Sequence, residues 1–332
     1  MINRPEYLSE LEKHRGRSSL IKVVTGVRRC GKSTLLQLYQ EKLKKSKVPS
    51  GRIIVVNLES IENEELRNGK VLYQHVKKLL RNDELHYVFI DEIQLAEEYV
   101  EVANSLRLLK NIDLYVTGSN SNILSGQLAS RWAGRYVEIK MLHLSFREYA
   151  GVFGDVRNNP DLVFRNYIEK GSFPEILAYY ENDLNGTGVR SYLDAIYNSI
   201  LIKDVMLQHG IKEAALLERI IKCLFSSIGS ETSINNMVNM LNNDMKLHPS
   251  EKKVYAATLQ TYIEGLLNSF VFYKAERYDT RGREYLRSNA KYYTVDTGLR
   301  YFLLGNKSSD SGHILENIVF LELLRRGNKV YV

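Results

Sequence analysis

Cysteine is nearly absent: Cys30 and Cys223 are the only two in 332 residues. Two distant thiols cannot build a disulfide framework or a cysteine-based metal site. No apolar run approaches the roughly 20 residues that a membrane-spanning helix needs. The opening Met1-Ile-Asn-Arg-Pro-Glu-Tyr7 lacks the apolar centre of a signal peptide. A cytoplasmic protein without membrane attachment is expected. There are no repeats and no low-complexity segments. Hydrophobic residues make up 44% and charged residues 26%, the proportions of an ordinary globular protein. The length calls for two or three domains. The net charge of +7 admits DNA or an acidic protein as partner without demanding either. The densest basic run, Lys42-Leu-Lys-Lys-Ser-Lys47, closes a predicted helix and there suits the negative end of its dipole.

Against this background one stretch stands out. Gly26-Val-Arg-Arg-Cys-Gly31-Lys32-Ser33-Thr34 fits the phosphate-loop pattern GxxxxGK[ST]. An apolar β-type run, Leu20–Thr25, precedes it, and a helix-like run from Thr34 follows. Strand, glycine loop and helix together aim backbone N–H groups and a helix N-terminus at a phosphate. Gly26 and Gly31 allow turns and close approach that a Cβ would block. Lys32 reaches the β- and γ-phosphates, and Thr34 can bond the α-phosphate. Cys30 reads as a small filler within the loop. Arg28 and Arg29 occupy its variable part and can face solvent, a neighbouring subunit or a second domain.

Strand-like runs recur at Arg52–Leu58, His86–Asp91, Ile112–Thr117 and Tyr136–Lys140, with helical candidates near 33–46, 70–82, 97–110 and 121–130. The runs lack clean alternation, as do strands buried on both faces of a parallel sheet. The fold class expected is α/β: a P-loop NTPase parallel sheet with helices on both faces, followed by a mostly α domain. Ligands of such sheets sit at the carboxyl ends of the strands, and the remaining motifs fall there.

Tyr87-Val-Phe-Ile-Asp91-Glu92 runs an apolar strand into two carboxylates, a Walker B pattern. Asp91, with the Ser33 hydroxyl, would hold Mg²⁺, and Glu92 would orient and activate the attacking water. A strand ending in a solvated acidic turn would read alike, but its pairing with the phosphate loop favours the site. Tyr115-Val-Thr-Gly-Ser119-Asn120-Ser121 follows the fourth strand. Asn120, or next Ser119, would stand beside the γ-phosphate; a cap for the following helix explains the same residues. In Ala129-Ser-Arg131-Trp-Ala-Gly-Arg135, Arg131 or Arg135 could stabilise charge on the transferring phosphoryl group, from this subunit or a neighbour, or be a surface residue.

The chain resembles the bacterial and archaeal AAA-type ATPases that carry a C-terminal domain of unknown function. The ATPase motifs Thr25–Leu36, Phe89-Ile-Asp-Glu-Ile-Gln94 and Thr117–Ser121 are common to many families. More telling are Leu144-Ser-Phe-Arg-Glu-Tyr149, Gly171-Ser-Phe-Pro-Glu175, Ile202-Lys-Asp-Val205 and Tyr292-Tyr-Thr-Val-Asp-Thr-Gly298. Two positions depart from the family pattern: Ser172 stands where a second glycine is usual, and His143 where a proline is. The resemblance implies ATP as the nucleotide and divides the chain into an ATP-binding domain (1–150), a helical connector (151–205), a winged helix (206–300) and the incomplete start of a restriction-endonuclease-like unit (301–332). Helical periodicity in Ala215–Ile228, from Ser233, and in Val254–Asn268, followed by two strand-like runs, independently supports the winged helix. Its basic tip carries Arg277, Arg281, Arg283, Arg287 and Lys291, suited to a phosphate backbone or to a solvated loop. Glu316 alone cannot hold a metal at catalytic strength, so nuclease activity is not expected. The function expected is Mg²⁺-dependent ATP hydrolysis coupled to domain movement. A nucleotide-gated regulator with negligible turnover is the alternative, and a small-molecule kinase the weaker one.

Overall fold

The computed structural model describes residues 2–119, 123, 131–152, 159–179, 186–244, 253–278, 290–305 and 310–332. The chain divides into two compact units, Met1–Met141 and Leu142–Val332.

The first unit is a five-stranded sheet with helices against it. Its strands are β1 (Ile21–Thr25), β2 (Ile53–Asn57), β3 (His86–Asp91), β4 (Ile112–Gly118) and β5 (Tyr136–Lys140). They lie in the order β2-β3-β4-β1-β5, and every pairing is parallel. Every residue of the three central strands is buried, whereas the edge strand β2 alternates and the edge strand β5 buries only Ile139. This is why the central runs show no period in the sequence: both faces are covered. The connecting helices are α1 (Pro5–Lys13), α2 (Lys32–Lys45), α3 (Gly69–Leu79) and α4 (Tyr99–Arg107). The core joins Val23, Val56, Val88, Ile90, Leu114 and Val116 of the strands to Leu72, Val76, Ala103 and Leu106 of the helices.

One ion pair lies wholly inside this core. Lys22 and Asp113 are both fully buried and in contact. The Lys22 ammonium also donates to the carbonyls of Arg17 at 2.7 Å and Leu20 at 3.1 Å. Asp113 accepts further bonds from Tyr115 Oη at 2.9 Å and the Gly16 N–H at 2.8 Å. Each charge is fully ligated, and such a network fixes how α1 is tied beneath the sheet.

The second unit is mainly helical: α5 (Phe146–Val152), α6 (Pro160–Lys170), α7 (Thr187–Ile196), α8 (Ala214–Ser226), α9 (Ile234–Asp244), α10 (Ala256–Asn268), α11 (Thr297–Leu304) and α12 (Ser311–Arg325). An antiparallel pair, β6 (Phe272–Glu276) and β7 (Ala290–Thr294), follows α10. Asn317 of α12 is fully buried, accepting from Thr294 N at 2.8 Å and donating to Thr294 O at 2.9 Å, which locks α12 to β7. Gly171 ends α6 so close to α11 that a Cβ on Gly298 would fall 2.4 Å from Gly171 N.

Beside that approach lies Asp296, 1% exposed. It accepts from Ser172 N at 2.7 Å, Ser172 Oγ at 2.8 Å and Leu299 N at 3.1 Å, and His143 Nδ1 stands 3.5 Å away. The two positions that depart from the resembled family pattern thus meet around one carboxylate. Burial alone drives the Asp296 carboxyl up, but His143 and the Ser172 donors outweigh it and hold the group below the usual carboxylate range.

Two outcomes are expected. Asp113→Ala, which strands the Lys22 ammonium, should cost about 3–5 kcal/mol of stability in urea melts, and Lys22→Met in the same chain should restore much of the loss. A carboxylate depressed in the folded state stabilises fully above its unfolded pKa of about 4 and loses that contribution as pH falls through the folded value. Parent stability should therefore drop below about pH 4, and Asp296→Asn, weaker at neutral pH, should show less of this acid sensitivity. Parallel pH profiles for parent and variant would contradict it.

Candidate nucleotide site

The site forms at the carboxyl ends of β1, β3 and β4. After Thr25 the chain turns through Gly26, whose φ is +149° and where a Cβ would fall 2.2 Å from the Met141 carbonyl oxygen. It continues through Arg29 at φ 65° and reaches α2 through Gly31 at φ 99°. No side chain caps the first turn of α2, and no acidic residue stands there. The opening N–H groups of the helix are therefore left to an anion.

Lys32 is 5% exposed. Its ammonium donates to Gly26 O at 3.1 Å and Val27 O at 3.3 Å, and stands 3.7 Å from Glu92 Oε1. The lysine is thus folded onto the carbonyls of its own loop, at the edge of the cradle. Asp91 ends β3 and Glu92 follows it, both buried. Thr117 of β4 clips them together: its hydroxyl donates to Asp91 Oδ1 and accepts from Glu92 N at 2.8 Å. Ser119 Oγ donates to Glu92 Oε2 at 3.0 Å, and Gln94 Nε2 donates to the same oxygen. Glu92 itself adopts a left-handed φ of 53°, an uncommon conformation for a residue with a side chain, held here by these bonds.

The structure brings together Gly26, Cys30, Gly31, Lys32, Asp91, Glu92 and Ser119. Ser33 and Thr34 begin α2, Ser33 exposed and Thr34 half-buried. Arg28 and Arg29 are exposed, and Arg28 pairs with Glu59 at 3.0 Å. Asn120 lies outside the described residues, as do Arg281, Arg283 and Arg287. Arg277 is exposed, next to β6. Lys291 does not belong to a basic tip: it sits in β7 with its ammonium 2.8 Å from Glu316 Oε1.

The arginine expectation narrows for Arg135. Arg135 leads into β5, and its carbonyl accepts from Ile21 N, the first residue of β1, at 2.9 Å. Both strands run parallel, so Arg135 lies at the strand end opposite the phosphate loop. Arg135 therefore stands away from the site of its own chain. Arg131 pairs with Glu101. Three residues went unread in the sequence: Thr117 and Gln94, although they fall inside quoted motifs, and Arg4, whose guanidinium donates to Cys30 O at 3.3 Å.

A glycine loop between the central strand and its helix, paired carboxylates after the third strand and the order β2-β3-β4-β1-β5 together define an α/β P-loop nucleotide-binding domain. A family model described as an AAA domain matches residues 18–150, and one described as a domain of unknown function matches residues 162–310. An uncharacterized protein of Haemophilus influenzae is 37% identical over 335 residues, covering 100% of this chain and 81% of the relative. The chain belongs to one family with that protein, and its residues 18–150 match the AAA domain. A second uncharacterized protein, from Methanocaldococcus jannaschii, is 27% identical over 319 residues, 92% of this chain and 67% of the relative. Among solved structures, Aeropyrum pernix ORC1 in complex with DNA aligns at 11% identity over 99% of this chain and 95% of that one, with a TM-score of 0.40. AMPPCP-bound DnaA from Aquifex aeolicus aligns at 14% identity over 79% and 86%, with a TM-score of 0.37. Scores this low carry no argument about function. No helix among the described residues is long and apolar enough to cross a membrane.

Cys30 sits at the heart of the loop, fully buried. Burial pushes its thiol up, and the Lys32 and Arg4 charges nearby offset only part of that, so the reactive thiolate is suppressed. Cys223 is raised by burial too. Iodoacetamide at neutral pH should leave both unlabelled in the folded chain and label both in urea, read by mass spectrometry; rapid labelling of folded Cys30 would contradict the buried loop.

Proposed function

We propose that the chain is a Mg²⁺-dependent ATP hydrolase whose cycle acts on its C-terminal unit. The observation that carries this reading is the convergence of Lys32, Asp91 and Glu92, with the Ser119 hydroxyl on Glu92. The loop N–H groups and the N-terminus of α2 cradle the phosphates. Lys32 leaves the Gly26 and Val27 carbonyls for the β- and γ-phosphates. The Ser33 hydroxyl and the Asp91 carboxylate supply the hard oxygens that suit Mg²⁺, which when bound neutralises charge on the phosphate oxygens. Once Lys32 moves away, Glu92 Oε1 is free to accept a proton from water, while Ser119 and Gln94 hold Oε2 in place. Asn120 would stand at the same strand end and orient that water. Arg131, from this chain or a neighbouring copy, or Arg135, from a neighbouring copy only, serves the transferring phosphoryl group. Adenine rests on the family resemblance.

Helices α8, α9 and α10 followed by the β6–β7 pair support reading residues 206–300 as a winged helix, joined through 151–205 to the ATP-binding domain (1–150). A net charge of +7 and the basic residues Arg277, Arg281, Arg283 and Arg287 support DNA as its partner; a protein is the other. Residues 301–332 correspond in this reading to the start of the nuclease-like unit, where Glu316 is engaged by Lys291 and by Tyr293 Oη at 2.6 Å.

A second reading, a nucleotide-gated regulator with negligible turnover, is favoured by one observation: both oxygens of Glu92 are already occupied, one by Lys32 and the other by Ser119 and Gln94.

Phosphate release from ATP with Mg²⁺, with and without DNA, separates the readings. Glu92→Gln should lower release about 100-fold or more and keep nucleotide binding, whereas Lys32→Ala should lose binding. Turnover unchanged in Glu92→Gln would remove Glu92 as the base. Tight binding with no release by the parent would establish the gated regulator instead. A rate indifferent to DNA, with no DNA bound, would point to protein docking.

A further inference from the structure

Arg4 is the only buried arginine among the described residues of the first unit, 3% exposed. Its backbone is fixed by the start of α1: its carbonyl accepts from Leu8 N at 3.0 Å, and Pro5 opens the helix. The helix is itself pinned. Tyr7 and Leu11 are buried, Glu12 Oε2 stands 3.3 Å from Lys42 Nζ of α2, and Arg15 Nε donates to Tyr87 Oη of β3 at 3.1 Å. The guanidinium lies 4.8 Å from the Tyr7 ring centroid and donates through Nη1 to the carbonyl of Cys30 at 3.3 Å.

That carbonyl belongs to the peptide linking Cys30 to Gly31, the residue that caps the start of α2. In a trans peptide the C=O and N–H point in opposite directions. A donor that holds the Cys30 oxygen toward α1 therefore turns the Gly31 N–H the other way. Gly31 carries a left-handed φ of 99°, so the orientation of this peptide is not dictated by helix or strand geometry and needs an anchor. A buried charge also acts through low-dielectric surroundings, and its reach shows at the neighbouring thiol of Cys30, where Arg4 opposes the effect of burial.

We propose that Arg4 is a positioning residue for the nucleotide: it anchors the Cys30 carbonyl, directs the Gly31 N–H into the phosphate cradle and places a fixed positive charge behind the loop. This rests on the nucleotide reading above. It makes α1, which carries no phosphate-loop residue, part of the binding apparatus, and it couples order at the start of the chain to nucleotide occupancy. Arginine suits the task because its planar fork can serve the carbonyl and stack on Tyr7 together, and it stays charged when buried.

The test is titration of a fluorescent ATP analogue with Mg²⁺ into the full chain, alongside nucleotide-free melting to fix the folded fraction. Arg4→Met should weaken binding about tenfold at equal folded fraction, and Arg4→Lys, which keeps the charge but loses the fork, should fall between. Because a buried charge is little screened, the weakening in Arg4→Met should persist at high salt. Parent-like affinity in folded Arg4→Met, with only a lower melting temperature, overturns the proposal. Should Arg4→Met not fold, Arg4→Lys decides: a loss of about threefold or more supports the proposal, and parent affinity overturns it. Absence of binding by the parent itself overturns the nucleotide reading on which this one rests.

Discussion

An ammonium taken out of water must find oxygen atoms, because an unpaired buried charge costs several kcal/mol or more. Lys32 is in that position, and the oxygens it finds are Gly26 O, Val27 O and Glu92 Oε1. Two belong to the loop on which the lysine stands, and the third belongs to the strand end that carries the acidic pair. The site is held together by this sharing. The loop can bend back on its lysine because Gly26 lacks the Cβ that would strike the Met141 carbonyl. The carboxylate is in reach because β1 and β3 are separated only by β4, whose Thr117 ties Asp91 and Glu92 into fixed positions. A ligand that offers Lys32 better oxygens changes the surroundings of Glu92 in the same step.

The second unit depends on a buried charge of the other sign. Asp296 caps α11 and gathers donors from the 171–173 turn and from His143. Ser172 and His143, each unusual for the resembled family, are explained together by this carboxylate. A glycine at 172 would supply its N–H alone, and a proline at 143 would supply no donor.

Much of the first unit was legible in the sequence. The three central strands could be recognised because burial on both faces places apolar residues without alternation, and the chemistry was confined to motifs a few residues long. In the second unit, α8, α9 and α10 were legible from their apolar spacing. What escaped was contact between residues far apart in the chain. That Thr117 serves Asp91 and Glu92 depends on register across β3 and β4, which no local pattern carries. Arg4 looks like an ordinary residue ahead of a helix, and only the fold brings it to Cys30, 26 residues away. For Arg135 the sequence already held a reason against a role in its own subunit: a residue leading into a parallel strand sits at the end opposite the phosphate loop. Strand direction takes Arg135 away from the site of its own chain and leaves the neighbouring-copy alternative standing.

The central claim is that the Lys32 ammonium, now shared between its own loop and Glu92 3.7 Å away, is the element a nucleotide displaces. A crystal structure of the full chain with Mg²⁺ and a non-hydrolysable ATP analogue tests it most directly. The result expected is Lys32 Nζ on the β- and γ-phosphate oxygens, away from the Gly26 and Val27 carbonyls, with Glu92 still held by Ser119. A bound nucleotide with Lys32 unmoved from those carbonyls, or its phosphates outside the Gly26–Thr34 loop, would contradict the account.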